Sequence, residues 1–85
     1  MKTFEYMITD PSGIHARPAG LLAKETSRFS SKITIEAKGK AADAKKIFAV
    51  MGMSILNGDK IAIHAEGNDE EEAIQAIGDF IKKTL

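Results

Sequence analysis

The sequence predicts an α+β fold in which helices cover one face of an antiparallel sheet. Two observations carry that expectation. Segments of period two, each with one polar face, alternate with segments of helical period in the order β-α-β-β-α-β-α. Strands that keep a polar face suit a sheet wetted on one side, since helices on both faces would demand apolar residues on both.

The elements follow in order. Phe4, Tyr6 and Ile8 alternate with Thr3, Glu5 and Met7, giving a first strand with one face more strongly apolar. Asp10-Pro11-Ser12-Gly13 breaks it. A helix then runs to about Phe29, with a stripe of Ala19, Leu22, Ala23 and Thr26. Ser30-Ser31 separates it from a strand, Lys32 to Ala37, that turns Ile33, Ile35 and Ala37 inward. Lys38-Gly39-Lys40 reads as a hairpin turn into a short third strand near Ala41 to Asp43. Lys46 to Ile55 is helical, and Ile47, Phe48, Ala49, Val50, Met51 and Met53 make it apolar on nearly every side. One small helix cannot bury all of these, so Val50, Ile55 and Leu56 are assigned to the core, and Ile47, Phe48 and Met51 to an exposed apolar patch. Asn57-Gly58 turns the chain into a last strand, Lys60 to Glu66. Asp69 caps the final helix, with Glu72 three residues on as in a capping box and acids at the positive end of the dipole. Its core stripe is Ala73, Ile74, Ile77, Phe80 and Ile81, and Lys82-Lys83 lies at its negative end.

Composition excludes more than it assigns. Eighty-five residues suggest a single domain spanning 1–85, with one core. Twelve basic and twelve acidic residues leave no net charge, so nothing argues for bulk attraction to nucleic acid or an anionic membrane. The absence of cysteine excludes a disulfide framework and a thiolate metal site. No apolar run is long enough to span a membrane, and Met1-Lys2-Thr3-Phe4-Glu5 lacks a signal-peptide core, so a cytoplasmic location is expected. His64 falls on the outward face of the last strand, far in sequence from the other histidine, and reads as a surface strand residue rather than a metal ligand.

The chemistry concentrates in Gly13-Ile14-His15-Ala16-Arg17-Pro18-Ala19. Pro18 suits a first helical turn, where its missing N–H removes no helical bond. His15 then stands at or near the N-cap, beside backbone N–H groups and a dipole that together make an anion site, for phosphate above all. A neutral imidazole nitrogen there is a nucleophile facing that site, and Arg17 can bind two phosphoryl oxygens at once. A lone histidine at a helix start would most simply be a cap. Here nucleophile, anion cradle and cation fall within five residues.

This heptad resembles the active-site signature of the HPr family, the histidine-containing phosphocarriers of the bacterial phosphoenolpyruvate:sugar phosphotransferase system. The family's element order matches along the whole chain. The resemblance therefore implies an open-faced β-sandwich, with a four-stranded antiparallel sheet and three helices on one face. It implies a carrier that accepts a phosphoryl group from enzyme I on Nδ1 of His15, aided by Arg17, and passes it to sugar-specific IIA domains. The carrier turns over nothing alone and needs no cofactor or metal. Ser12, Gly13, Ala16 and Pro18 would cradle the phosphate. On the outer face of the first helix Ala16, Gly20, Lys24 and Ser27 repeat at three- and four-residue steps. With Ile47, Phe48, Met51 and Gly52 they would form the surface that meets both partners. Many family members begin the middle helix with a serine that a dedicated kinase phosphorylates. Lys46 stands there in this chain, which predicts a carrier without that switch. A lysine also offers no hydroxyl to cap the helix, leaving Asp43 as a partial cap. A monomer suits such a shuttle. Two other readings carry less: an HPr-like module that acts mainly by docking, or a carrier for a specialised branch. An RNA-binding or metal-chaperone domain is disfavoured by the neutral charge, the lack of strand aromatics for stacking, and the missing cysteines.

Overall fold

The alternating segments pair as expected in a computed structural model describing residues 1–85: β1 (Lys2–Met7), β2 (Lys32–Ala37), β3 (Lys40–Asp43) and β4 (Lys60–Glu66). They form one sheet in the order β1-β4-β2-β3, with every neighbouring pair antiparallel. Register follows the apolar pattern. Ile63 of β4 lies between Phe4 of β1 and Ile35 of β2, and Ile35 in turn faces Ala42 of β3. One residue along, the row is Thr3, His64, Thr34 and Asp43, all polar. A slip of one residue would exchange these two rows between core and water, so the alternation excludes it. Between β2 and β3 the chain reverses over Lys38 and Gly39, both with positive φ (55° and 75°), as a two-residue hairpin requires.

Helices α1 (Ala16–Thr26), α2 (Ile47–Met51) and α3 (Glu70–Thr84) complete the fold. Beneath them Ile33, Ile35, Ile61 and Ile63 are fully buried with Leu22 of α1, Val50 of α2, and Ile77 and Ile81 of α3. Each such side chain contributes roughly 1.5–3 kcal/mol by leaving water. In α3, Ala73, Ile77 and Ile81 carry the burial, while Ile74 and Phe80 pack at its margin. The opposite face of the sheet has no helix. There His64, half-buried, lies within hydrogen-bond distance of the Thr3 hydroxyl through Nδ1 (3.0 Å) and of the Glu36 carboxylate through Nε2 (3.1 Å). It is a surface strand residue that also ties three strands together.

Four expectations need correction. The first helix ends at Thr26, not Phe29. Hydroxyls of Thr26 and Ser27 both donate to the Ala23 carbonyl, and the next amides bond three residues back instead of four. Helices commonly tighten and stop in this way. The middle helix covers only Ile47–Met51, with Gly52 as its C-cap, and Ser54 takes a positive φ (53°) that no helix continues through. Leu56, assigned to the core, is 57% exposed, because that turn swings it outward after Ile55 is buried. Asp69 occupies the N-cap of α3 but makes no side-chain bond to its own helix. Its carboxylate instead accepts the backbone N–H groups of Ser30 and Ser31 (2.9 Å each) and the Ser31 hydroxyl. The reciprocal pairing expected of a capping box occurs earlier, where Glu70 accepts the Gly67 N–H and donates its own to the Gly67 carbonyl.

Asp69 thus pins the start of β2 to the start of α3. The Ser31 hydroxyl, followed by the Ser30 N–H, holds its carboxyl at about 2, below the usual aspartate value. A carboxyl lowered by folding stabilises the native state above its unfolded value, near 4, and loses that contribution as pH falls through about 2. Asp69→Asn is therefore expected to lower Tm at neutral pH, and its gap from wild type to close in strong acid. Thermal scans of both proteins across that range test this, and a gap independent of pH would contradict it.

Candidate functional site

The loop that follows β1 is folded by its own polar residues. The Asp10 carboxylate accepts the Ser12 N–H (2.8 Å), and the Asp10 carbonyl accepts the Gly13 N–H (2.9 Å). Gly13 has φ +65°, and a Cβ there would lie 2.8 Å from Leu56 Cα, so conformation and space both demand glycine. Two distant pieces of chain then fix the loop. The Leu85 main-chain oxygen accepts the N–H groups of Thr9 and Asp10 (2.8 Å each) and the Thr9 hydroxyl (2.9 Å). The Asn57 amide donates to the Thr9 carbonyl (3.1 Å). The Ile55 carbonyl accepts the Ile14 N–H (3.0 Å).

This loop delivers His15 to the start of α1. His15 is the N-cap in extended conformation (φ −116°, ψ −168°), and its carbonyl accepts the first helical bond, from Ala19 N–H at 3.0 Å. The imidazole makes no capping bond and is exposed. Backbone N–H groups of Ala16 and Arg17 find no acceptor in the chain, and Pro18 has no N–H. His15, Arg17, Pro18 and Leu21 line a cleft of about 320 Å3 together with Asp10, Lys83 and Thr84. Arg17 makes no ion pair. A free imidazole, unpaired N–H groups and a free guanidinium are what a phosphoryl group needs for attachment and charge balance. No group of three or more His, Asp or Glu side chains converges as metal ligands would.

Of the sequence-predicted cradle, Pro18 is in the cleft wall, Gly13 is buried behind it, and Ser12 and Ala16 are exposed beside it. Asp10, Leu21, Lys83 and Thr84 were not foreseen. Lys83 had a signal, a cation in the last turn of α3, but nothing local says that this turn meets the start of α1.

The second surface is continuous with the first. Ala16, Lys24 and Ser27 are exposed along α1. Gly20 is half-covered, because Ile47 leans on it: a Cβ at Gly20 would meet Ile47 Cδ1 at 3.3 Å. The absent side chain lets α2 lie close against α1. Phe48 is 82% exposed, the most exposed large apolar side chain here, whereas Ile47 and Met51 are half-buried and pack on the core. The expected exposed patch therefore narrows to Phe48 with the rims of its two neighbours. Gly52 is exposed at the C-cap of α2. Lys46 is an exposed N-cap without a capping bond, and Asp43 bonds the Lys45 N–H (2.9 Å) rather than an amide of the helix.

With this geometry in view, comparison with known proteins is specific. Residues 2–83 match the family model described as the PTS HPr component phosphorylation site. Phosphocarrier protein HPr of Mycoplasma capricolum is 54% identical over 77 residues, covering 91% of this chain and 86% of that one. A solved mycoplasma histidine-containing phosphocarrier protein superposes with a TM-score of 0.95 at 51% identity, over 98% of this chain and 94% of its own. An HPr of Thermoanaerobacter tengcongensis, 41% identical, superposes at 0.92 over 98% and 93%, and a dimeric form of it at 0.77 over 98% and 95%. The chain belongs to the HPr family, the phosphocarrier proteins of the phosphotransferase system.

Because Gly13 both turns the chain and presses on Leu56, Gly13→Ala is expected to destabilise the fold by about 1–3 kcal/mol through backbone strain, lowering the urea midpoint at unchanged slope. Equal midpoints for variant and wild type would show that the loop relaxes freely.

Proposed function

We propose that Nδ1 of His15 accepts a phosphoryl group from phospho-enzyme I and passes it to a IIA domain, with Arg17 and the N–H groups of Ala16 and Arg17 balancing its charge. The observation that carries this reading is the uncapped, exposed His15 imidazole in a cleft shared with an unpaired Arg17. On loading, the Nδ1–P bond forms as the donor's bond to phosphorus breaks; on delivery, the Nδ1–P bond breaks as the acceptor's bond to phosphorus forms. Such a step is governed by positioning and charge stabilisation, which the rigidly held loop supplies. Chain 1–85 acts as one carrier domain in the cytoplasm, and alone it catalyses no turnover. Phe48, with Ile47, Met51 and Gly52 of the α2 region and Ala16, Gly20, Lys24 and Ser27 of α1, meets both partners in succession. One shared surface suits a monomeric shuttle that must leave each partner quickly.

The regulatory switch is absent in this reading. Lys46 stands at the N-cap where many relatives have serine, and it carries no phosphorylatable hydroxyl.

Incubation with enzyme I and phosphoenolpyruvate is expected to put acid-labile phosphate on the wild type and none on His15→Ala. Full labelling of the variant would overturn the assignment. With an HPr kinase and ATP the wild type is expected to remain unlabelled. Acid-stable phosphate on Ser54 or another hydroxyl would contradict the loss of the switch.

A further inference from the structure

A second cation shares the cleft with His15. Lys83 lies in the last turn of α3, where by itself it would only offset the negative end of the helix dipole. Its placement says more. Lys82 and Lys83 are adjacent in sequence, yet they serve different surfaces: Lys82 Nζ stands 5.6 Å from the centre of the Phe4 ring, while Lys83 lines the cleft with His15 and Arg17. Lys83 makes no ion pair and no side-chain hydrogen bond, unlike Lys38 and Lys45, whose ammonium groups are both engaged. The only acid in the cleft wall, Asp10, already accepts a backbone N–H. Nor is the position accidental. The main-chain oxygen of Leu85, two residues on, holds Thr9 and Asp10, so the turn carrying Lys83 is bonded directly to the loop that presents His15.

Resting on the phosphoryl-carrier reading above, we propose that Lys83 is a phosphoryl-binding residue that faces the group on His15 from the side opposite the start of α1. A phosphoryl group on a side chain carries close to two negative charges at neutral pH. Arg17 and the helix N–H groups meet it from one side. Lys83 supplies a mobile point charge from the other, on a stem long enough to follow the group as it arrives and leaves. It exchanges no proton and forms no bond to phosphorus. Its effect is on the equilibrium, because it favours phosphorylated over free carrier.

The test compares wild type, Lys83→Gln, Lys83→Arg and Lys82→Gln. Lys82→Gln loses the same charge one residue away, and neither lysine is buried or hydrogen-bonded. Each protein is equilibrated with enzyme I and phosphoenolpyruvate, and the phosphoryl group is titrated by 31P NMR. Lys83→Gln is expected to shift the equilibrium about two- to fivefold toward free carrier, the range an exposed charge pair gives, and the shift should fade in high salt. Its 31P midpoint is expected to rise, since a dianion is less favoured without the cation. Lys83→Arg should restore both values, and Lys82→Gln should change neither. Wild-type behaviour in Lys83→Gln overturns the proposal and leaves the His15 assignment standing. Equal shifts in the two Gln variants also overturn it, by showing a bulk charge effect. An unlabelled wild type overturns the carrier reading and this inference together.

Discussion

Backbone bonds around Gly13 hold the site together. The main-chain oxygens of Leu85 and Ile55 receive amides from Thr9, Asp10 and Ile14, so the end of α3 and the connection before β4 both grip the loop between β1 and α1. The pairing of β1 with β4 runs on beyond the strands, through Ile8 N–H to the Asp59 carbonyl (2.9 Å) and Gly58 N–H to the Ile8 carbonyl (2.8 Å). The loop is thereby fastened to both segments, with side-chain bonds from Asn57 and Thr9 and, within the loop, from Asp10. Its geometry closes only because Gly13 adopts a positive φ with no Cβ to strike Leu56. In return the start of α1 faces solvent with its N–H groups open, which a helix beginning inside the core could not do.

The chain's zero net charge conceals a division of labour. Asp10, Asp43, Asp59, Asp69 and Glu70 all accept backbone N–H groups, which spends their charge on fixing turns and joining elements. For Asp59 and Glu70 those bonds lower the carboxyl values below normal, and for Asp69 the Ser31 hydroxyl does so ahead of them. Arg17 and Lys83 have no such engagement. A globally neutral protein can therefore keep a locally positive cleft without attracting polyanions over its whole surface.

The middle helix shows how little local preference is needed when packing supplies the rest. Five residues with no side-chain cap and no acid in the first turn would not hold a helix in water. Val50 is buried beneath it and Ile47 rests on Gly20, so tertiary contacts keep it formed. That arrangement leaves Phe48 outward, an exposed apolar ring beside the His15 helix.

Much of this protein was legible in its residues. The period-two segments marked three of the strands, since the inner set of Phe4, Ile63 and Ile35 and the outer set of Thr3, His64 and Thr34 are written in the alternation itself, and the Lys38-Gly39-Lys40 turn marked the short one between them. The Gly13–Ala19 heptad marked the start of α1 because capping is local chemistry. Element ends were harder. Thr26 and Ser27 look like ordinary helical residues until the Ala44 carbonyl arrives at the Thr26 hydroxyl (3.1 Å). Asp69 resembled a cap, yet it bonds Ser30 and Ser31, nearly forty residues earlier, because a carboxylate takes the best donors in space and not the nearest in sequence. Leu56 looked as apolar as Ile55, and only the turn at Ser54 decided which of them faced water. By itself, then, the sequence determined the order and type of the elements, which face of each main strand is apolar, and His15 with Arg17 at a helix start, all consequences of short-range periodicity and local hydrogen bonding. Only the tertiary structure decided which residues close the cleft and how the strands pair, because the bonds that bring Lys83 and Thr84 to the His15 loop join Leu85 to Thr9 and Asp10, about 75 residues away, at a distance that no local pattern records.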